Sequence, residues 1–114
     1  MANKLILLTS ESLGRGDEDL GHVLLANFLR VLGARPAKPA AIVLMNGAVR
    51  LACPGAAAFE AQEHLRELAR DGVPVYACRT CLEAFGLVDD VEIGQIGGMA
   101  QFVEMMDRHE VIAL

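Results

Sequence analysis

Lys4-Leu5-Ile6-Leu7-Leu8-Thr9 is an unbroken apolar run near the start of the chain. A strand with one wet face alternates apolar and polar residues, whereas a strand covered on both faces does not. The run therefore predicts a strand buried in a parallel sheet. Outward from it, Ser10 to Gly16 (Ser-Glu-Ser-Leu-Gly-Arg-Gly) is loop chemistry, and Asp17 is placed to cap a helix whose first turn carries Glu18 and Asp19. Leu20, Val23, Leu24, Asn27, Phe28 and Val31 recur at helical spacing, and Gly33 is the expected stop. Ala41-Ile42-Val43-Leu44-Met45-Asn46 then repeats the buried-strand pattern, followed by an irregular stretch from Gly47 to Gly55.

The rest of the chain keeps the rhythm. A helix is expected from Ala57 to Arg70, ended by Asp71-Gly72, and a third buried strand over Val73 to Ala77. Leu82 to Phe85 reads as a short helix ending at Gly86, Val91-Glu92-Ile93 as a fourth strand, Gln101 to Arg108 as a helix, and Val111 to Leu114 as a fifth strand. Alternating strands and helices with apolar-run strands predict a three-layer α/β/α domain on a mainly parallel five-stranded sheet. In such sheets ligands gather at the carboxyl ends of the strands. The Ser10–Gly16 loop, the Asn46–Gly55 loop and Cys78 all fall on that edge in this reading.

Composition sets the outer bounds. A chain of 114 residues is expected to form one domain over 1–114, and at this size burial of roughly two-thirds of the unfolded surface suffices without disulfides. The apolar fraction is 54% with few aromatic residues, and mean hydropathy is +0.37. Monomers seldom expose that much apolar surface in patches, so a homo-oligomer is expected. A net charge of −5 argues against a nucleic-acid partner, which needs a basic footprint. No apolar run approaches the roughly 20 residues of a membrane span, and Met1-Ala2-Asn3-Lys4 carries no cleavage-site pattern. Three cysteines are odd in number and too few for a disulfide framework, which points to a reducing cytoplasm.

Chemistry is concentrated in Tyr76-Ala77-Cys78-Arg79-Thr80-Cys81-Leu82, a Cys-x-x-Cys where strand passes into helix. Cys78 lies near the predicted helix N-cap and Cys81 one turn further on. Unpaired N–H groups and the dipole at a helix start favour thiolate, the nucleophilic form. One reading makes Cys78 the attacking thiolate and Cys81 a thiol that resolves a mixed disulfide. Another makes both small apolar fillers. Half of a zinc site would need two further ligands in reach, and no second such pair exists, so no metal is expected. Cys53, before Pro54-Gly55, reads as incidental. Gly14-Arg15-Gly16 lacks the residues of either phosphate-binding fingerprint, and the acids that follow it would repel phosphate. No cofactor is expected, although a flavin or nucleotide on the strand-end edge stays open. His22, His64 and His109 fall on separate elements without ligand spacing.

Taken together, Leu7-Leu8-Thr9-Ser10-Glu11-Ser12-Leu13-Gly14-Arg15-Gly16-Asp17, Leu20-Gly21, Phe28-Leu29, Asn46-Gly47-Ala48-Val49-Arg50-Leu51 and Cys78-Arg79-Thr80-Cys81-Leu82 resemble the DsrE superfamily of sulfur-trafficking proteins. Within it the chain is most similar to the C-terminal domain of the YedF proteins, linked by name to selenium metabolism. The family usually has glycine where Arg79 stands, and a Thr-Asn-Met type of turn where Gly97-Gly98-Met99 stands. The resemblance implies a relay of sulfur, or selenium, as a persulfide on Cys78, with Cys81 either releasing it as a Cys78–Cys81 disulfide or tuning Cys78. The binding residues expected around the thiols are Arg79, Thr80, Asn46, Gly47, Ser10 and Arg15, and the resemblance implies trimers or hexamers as the assembly. The sulfur-carrier domain usually fused in YedF is not in this sequence, so a separate small sulfur-carrier protein is the implied donor or acceptor. Two rivals use the same residues: a dithiol–disulfide redox protein, and an assembly module whose cysteines only pack.

Overall fold

The computed structural model describes residues 1–114. Five strands, β1 (Lys4–Leu8), β2 (Ala41–Leu44), β3 (Val75–Cys78), β4 (Gln95–Gly97) and β5 (Glu110–Ala113), form one sheet in the order β4-β3-β2-β1-β5. Every pairing is parallel. Helices α1 (Glu18–Ala34), α2 (Phe59–Arg70), α3 (Arg79–Phe85) and α4 (Met99–Arg108) connect them, with 3-10 turns at Asn46–Ala52 and Val88–Asp90. The expected α/β/α architecture on a five-stranded sheet is the one observed, and all its strands run parallel.

The layers follow from the handedness of parallel crossovers. The connections from β1 through β4 all step in one direction, whereas α4 returns across the whole sheet to β5, which puts it on the opposite face. Consistent with this, the ring of Phe102 in α4 meets the Tyr76 ring edge-on at 6.4 Å between centroids. The α1 and α2 helices pack on each other, with Gly33 of α1 lying beside Leu68 of α2, where an added Cβ would make an ordinary contact at 3.7 Å. Buried residues of β1 and β2, with Leu25, Leu29, Leu65 and Leu68 from the helices, form one core. At the far edge Lys4 pairs with Glu110, which holds that carboxyl below its ordinary range and ties β5 to β1. No helix is long and apolar enough to cross a membrane.

Several boundaries differ from the sequence reading, each for a local reason. The fourth strand is not Val91–Ile93 but Gln95–Gly97. The Glu92 and Ile93 N–H groups both donate to Ala52 O, so that segment is spent on a loop contact before the chain turns at Gly94 and joins β3. The stretch after β2 is a 3-10 helix over Asn46–Ala52 rather than irregular. Gly33 does not stop α1, which runs to Ala34 and is closed by the Arg35 N–H on Leu32 O. The largest difference is rotational. Leu20, Val23, Leu24 and Val31 are exposed, while Gly21, Leu25, Ala26, Leu29 and Leu32 face the core. Two apolar rows run along α1, and spacing alone cannot choose which of them meets the sheet.

Candidate functional site

Cys78 is both the last residue of β3 and the N-cap of α3. The strand Val75-Tyr76-Ala77-Cys78 is paired with β2 and β4, so the position of Cys78 is fixed by the sheet. Its helix closes at Gly86, in the left-handed conformation with N–H bonds back to Leu82 and Glu83. Cys78 is buried, with 3% of its surface exposed, whereas Cys81, one turn on, is half-buried. All three cysteines are free thiols.

The loop after β2 supplies the most specific contact. Asn46 is the one non-glycine residue with positive φ, at 49°, a region that asparagine visits more readily than most residues. That conformation starts the 3-10 helix and aims the Asn46 N–H at Cys81, to which it donates at 3.0 Å from N to Sγ. Burial pushes the Cys81 thiol above the ordinary cysteine value, the Asn46 N–H pulls it down, and the adjacent Cys78 pushes it up again. Only thiolate attacks an alkylating agent. Iodoacetamide modification of Cys81 is therefore expected to keep accelerating with pH beyond the range where a free cysteine levels off. Peptide mass spectrometry over a pH series measures this, and a plateau at the ordinary cysteine value would show the hydrogen bond outweighing burial.

The remaining sequence-predicted positions share the edge without all touching the thiols. Ser10 is exposed, its Oγ accepting the Ser12 N–H at 2.9 Å to shape the first loop. Arg15 is exposed between Gly14 and Gly16, Arg79 and Thr80 are exposed on the first turn of α3, and Gly47 has open space around it. Asn46 is thus the residue outside α3 with a direct bond to the pair. Cys53 is buried and its thiol lies 3.5 Å from Val49 O. Burial first, then Asp90 and Glu92, push it above its ordinary value, and Arg50 offsets part of this.

Sequence reasoning did not find the residues that brace the site. Arg50 lies over the Phe85 ring, 4.5 Å from its centroid, and joins the 3-10 helix to the end of α3. Buried Gln62 donates to Cys53 O at 2.5 Å and to Leu51 O at 3.0 Å, holding the same loop to α2. Glu11 accepts the Ala58 N–H at 3.3 Å, anchoring the first loop to the start of α2. These pairs are far apart in sequence and carry no local signal, except that a glutamine inside an apolar helix face calls for partners.

The comparisons agree on the architecture. The model for the DsrE/DsrF-like family matches residues 3–114. The crystal structure of the YchN protein from E. coli superposes with a TM-score of 0.70 at 20% identity, covering 100% of each chain. A conserved protein of unknown function from Bacteroides thetaiotaomicron gives a TM-score of 0.66 at 19% identity, covering 98% of this chain and 95% of its own. No curated protein matches the sequence.

Proposed function

We propose that this chain, which belongs to the DsrE/DsrF-like family, relays sulfur as a persulfide carried on Cys78. The observation that bears most weight is the pairing of Cys78 with a second thiol, Cys81, that a strained loop residue holds by its N–H at 3.0 Å. In loading, the Cys78 thiolate attacks the outer sulfur of a donor persulfide. A bond forms between Cys78 Sγ and that sulfur, the donor's S–S bond breaks, and the electron pair leaves on the donor thiolate. An acceptor thiolate unloads it by the same displacement in reverse. Burial of Cys78 suits the loaded state, because a sheltered persulfide is kept from solvent. If Cys81 attacks Cys78 Sγ instead, hydrosulfide leaves and a Cys78–Cys81 disulfide remains.

In this reading Arg79 and Arg15 supply positive charge for anionic sulfur, Thr80, Asn46, Gly47 and Ser10 line the approach, and the partner is a small sulfur-carrier protein on a separate chain. The Cys78-Arg79-Thr80-Cys81-Leu82 motif supports placement with the YedF branch, and selenium would follow the same displacement. Three free thiols favour a reducing, cytoplasmic setting. Intact-mass spectrometry after exposure to a persulfide donor is the test. The expected result is a reductant-sensitive gain of one sulfur atom that Cys78→Ser abolishes and Cys81→Ser retains. Loss of two hydrogens in the parent protein together with no sulfur gained in Cys81→Ser, where no internal disulfide can discharge the persulfide, would transfer the function to dithiol–disulfide redox chemistry, and an adduct that persists in Cys78→Ser would remove Cys78 from the carrier role.

A further inference from the structure

We infer that Arg50 is the contact point for an acidic group on the sulfur donor, and that engaging it frees the 3-10 helix Asn46–Ala52 from α3 and opens the way to Cys78. This rests on Cys78 being the thiol that exchanges, as proposed above. With 3% of its surface exposed, Cys78 is out of reach of a protein-borne persulfide until a neighbour moves. β3 is paired on both sides and stays in place. The 3-10 helix packs on both β3 and α3, the two elements that Cys78 joins, and its hydrogen bonds are poorer than those of an α-helix.

The Asn46 N–H on Cys81, at 3.0 Å, and the Arg50 guanidinium, 4.5 Å over the Phe85 ring, latch this helix to α3. Each contact joins residues 35 positions apart, so the helix lies lengthwise along α3 in one register. Beyond Arg50 it is held from the other side, because buried Gln62 donates to Leu51 O and Cys53 O. Movement is therefore confined to Asn46–Arg50. Arg50 is exposed and belongs to no ion pair of the chain; Glu92, on the neighbouring loop, reaches Arg66 instead. Its fork of N–H donors is open to a carboxylate, and a bidentate carboxylate contact outweighs a cation resting on an exposed phenylalanine ring. A donor that presents aspartate or glutamate beside its persulfide draws Arg50 off Phe85 and loosens the cover over Cys78 as it docks. A neutral donor has to wait for the latch to open unaided. Arg79, on the first turn of α3, is likewise exposed and unpaired, and adds charge of the same sign beside the thiols.

Disulfide exchange at Cys78 tests this with two aryl disulfides, the dianionic dithiobis(nitrobenzoate) and the neutral dithiodipyridine. In each case the Cys78 thiolate forms a mixed disulfide and expels one coloured aryl thiolate, and peptide mass spectrometry assigns the adduct. The measurement is made in Cys81→Ser, whose hydroxyl still accepts the Asn46 N–H and cannot resolve the product. Adding Arg50→Gln is expected to speed the neutral reagent by about two- to five-fold, the effect of losing an exposed cation–π contact, and to slow the anionic one. Arg50→Lys, which keeps a cation for both the ring and the carboxylate, is expected to hold both rates near those of Cys81→Ser alone. Rates that move in the same direction for the two reagents, or either rate unchanged by Arg50→Gln, would overturn the inference. Neither reagent carries a transferable sulfur atom, so this outcome is separate from whether the protein gains sulfur from a persulfide donor.

Discussion

Truncation of Phe102 to alanine is expected to lower the unfolding free energy by about 3–5 kcal/mol, measured by urea denaturation. Phe102 is the one fully buried residue of α4, with Met105 and Met106 packed partly buried beside the core. Its ring meets Tyr76 at 61° and 6.4 Å, an edge-to-face contact that adds about 0.5–1.5 kcal/mol beyond burial. It also occupies the space that Gly97 leaves: a Cβ on Gly97 would stand 2.7 Å from the Phe102 ring and from the Gln101 side chain. Gly97→Val alone is accordingly expected to cost about 1–3 kcal/mol by overpacking. Combined with Phe102→Ala it is expected to cost less than the sum, since each change relieves the other. A Phe102→Ala loss under about 1 kcal/mol would mean that α4 is held by something else.

Gly94→Ala is expected to be the next most damaging change, at about 2–4 kcal/mol. Gly94 has φ of 75°, where a side chain is strained by about 1–2 kcal/mol. The new Cβ would also sit 2.3 Å from Val75 O and 2.9 Å from Val75 C. Those are backbone atoms of β3, so no rotamer change gives room, and β4 has to move off the sheet edge. Gly72→Ala is the control. Its φ is 96° with nothing within 4 Å of the added carbon, so it carries the strain without the collision. Equal losses for the two variants in the same denaturation experiment would show that the Val75 contact is relieved at little cost.

Legibility in the sequence depended on whether a signal was local. The runs at Lys4–Leu8 and Ala41–Leu44 announced buried parallel strands because no half-wet strand tolerates such a sequence. Asp17 announced its helix start because capping acts within three residues, and its carboxylate does accept the Leu20 N–H at 2.8 Å. The Val91–Ile93 strand failed because its propensity was overruled by bonds to Ala52, at the end of the distant 3-10 helix. The site divides the same way. Strand-to-helix chemistry placed Cys78 at the junction, but nothing local marks the Asn46 N–H bond to Cys81 or the Arg50–Phe85 contact, each linking residues 35 positions apart.

From sequence alone, period and composition determined the fold class, the edge on which the loops gather and the pair of thiols on that edge. These depend on rules that hold within a turn or a strand. Tertiary structure alone decided which apolar row of α1 faces the sheet, which thiol is buried and which half-open, and which loop N–H meets it. Those choices are made between surfaces of nearly equal local preference, so only the packing of the whole domain breaks the tie.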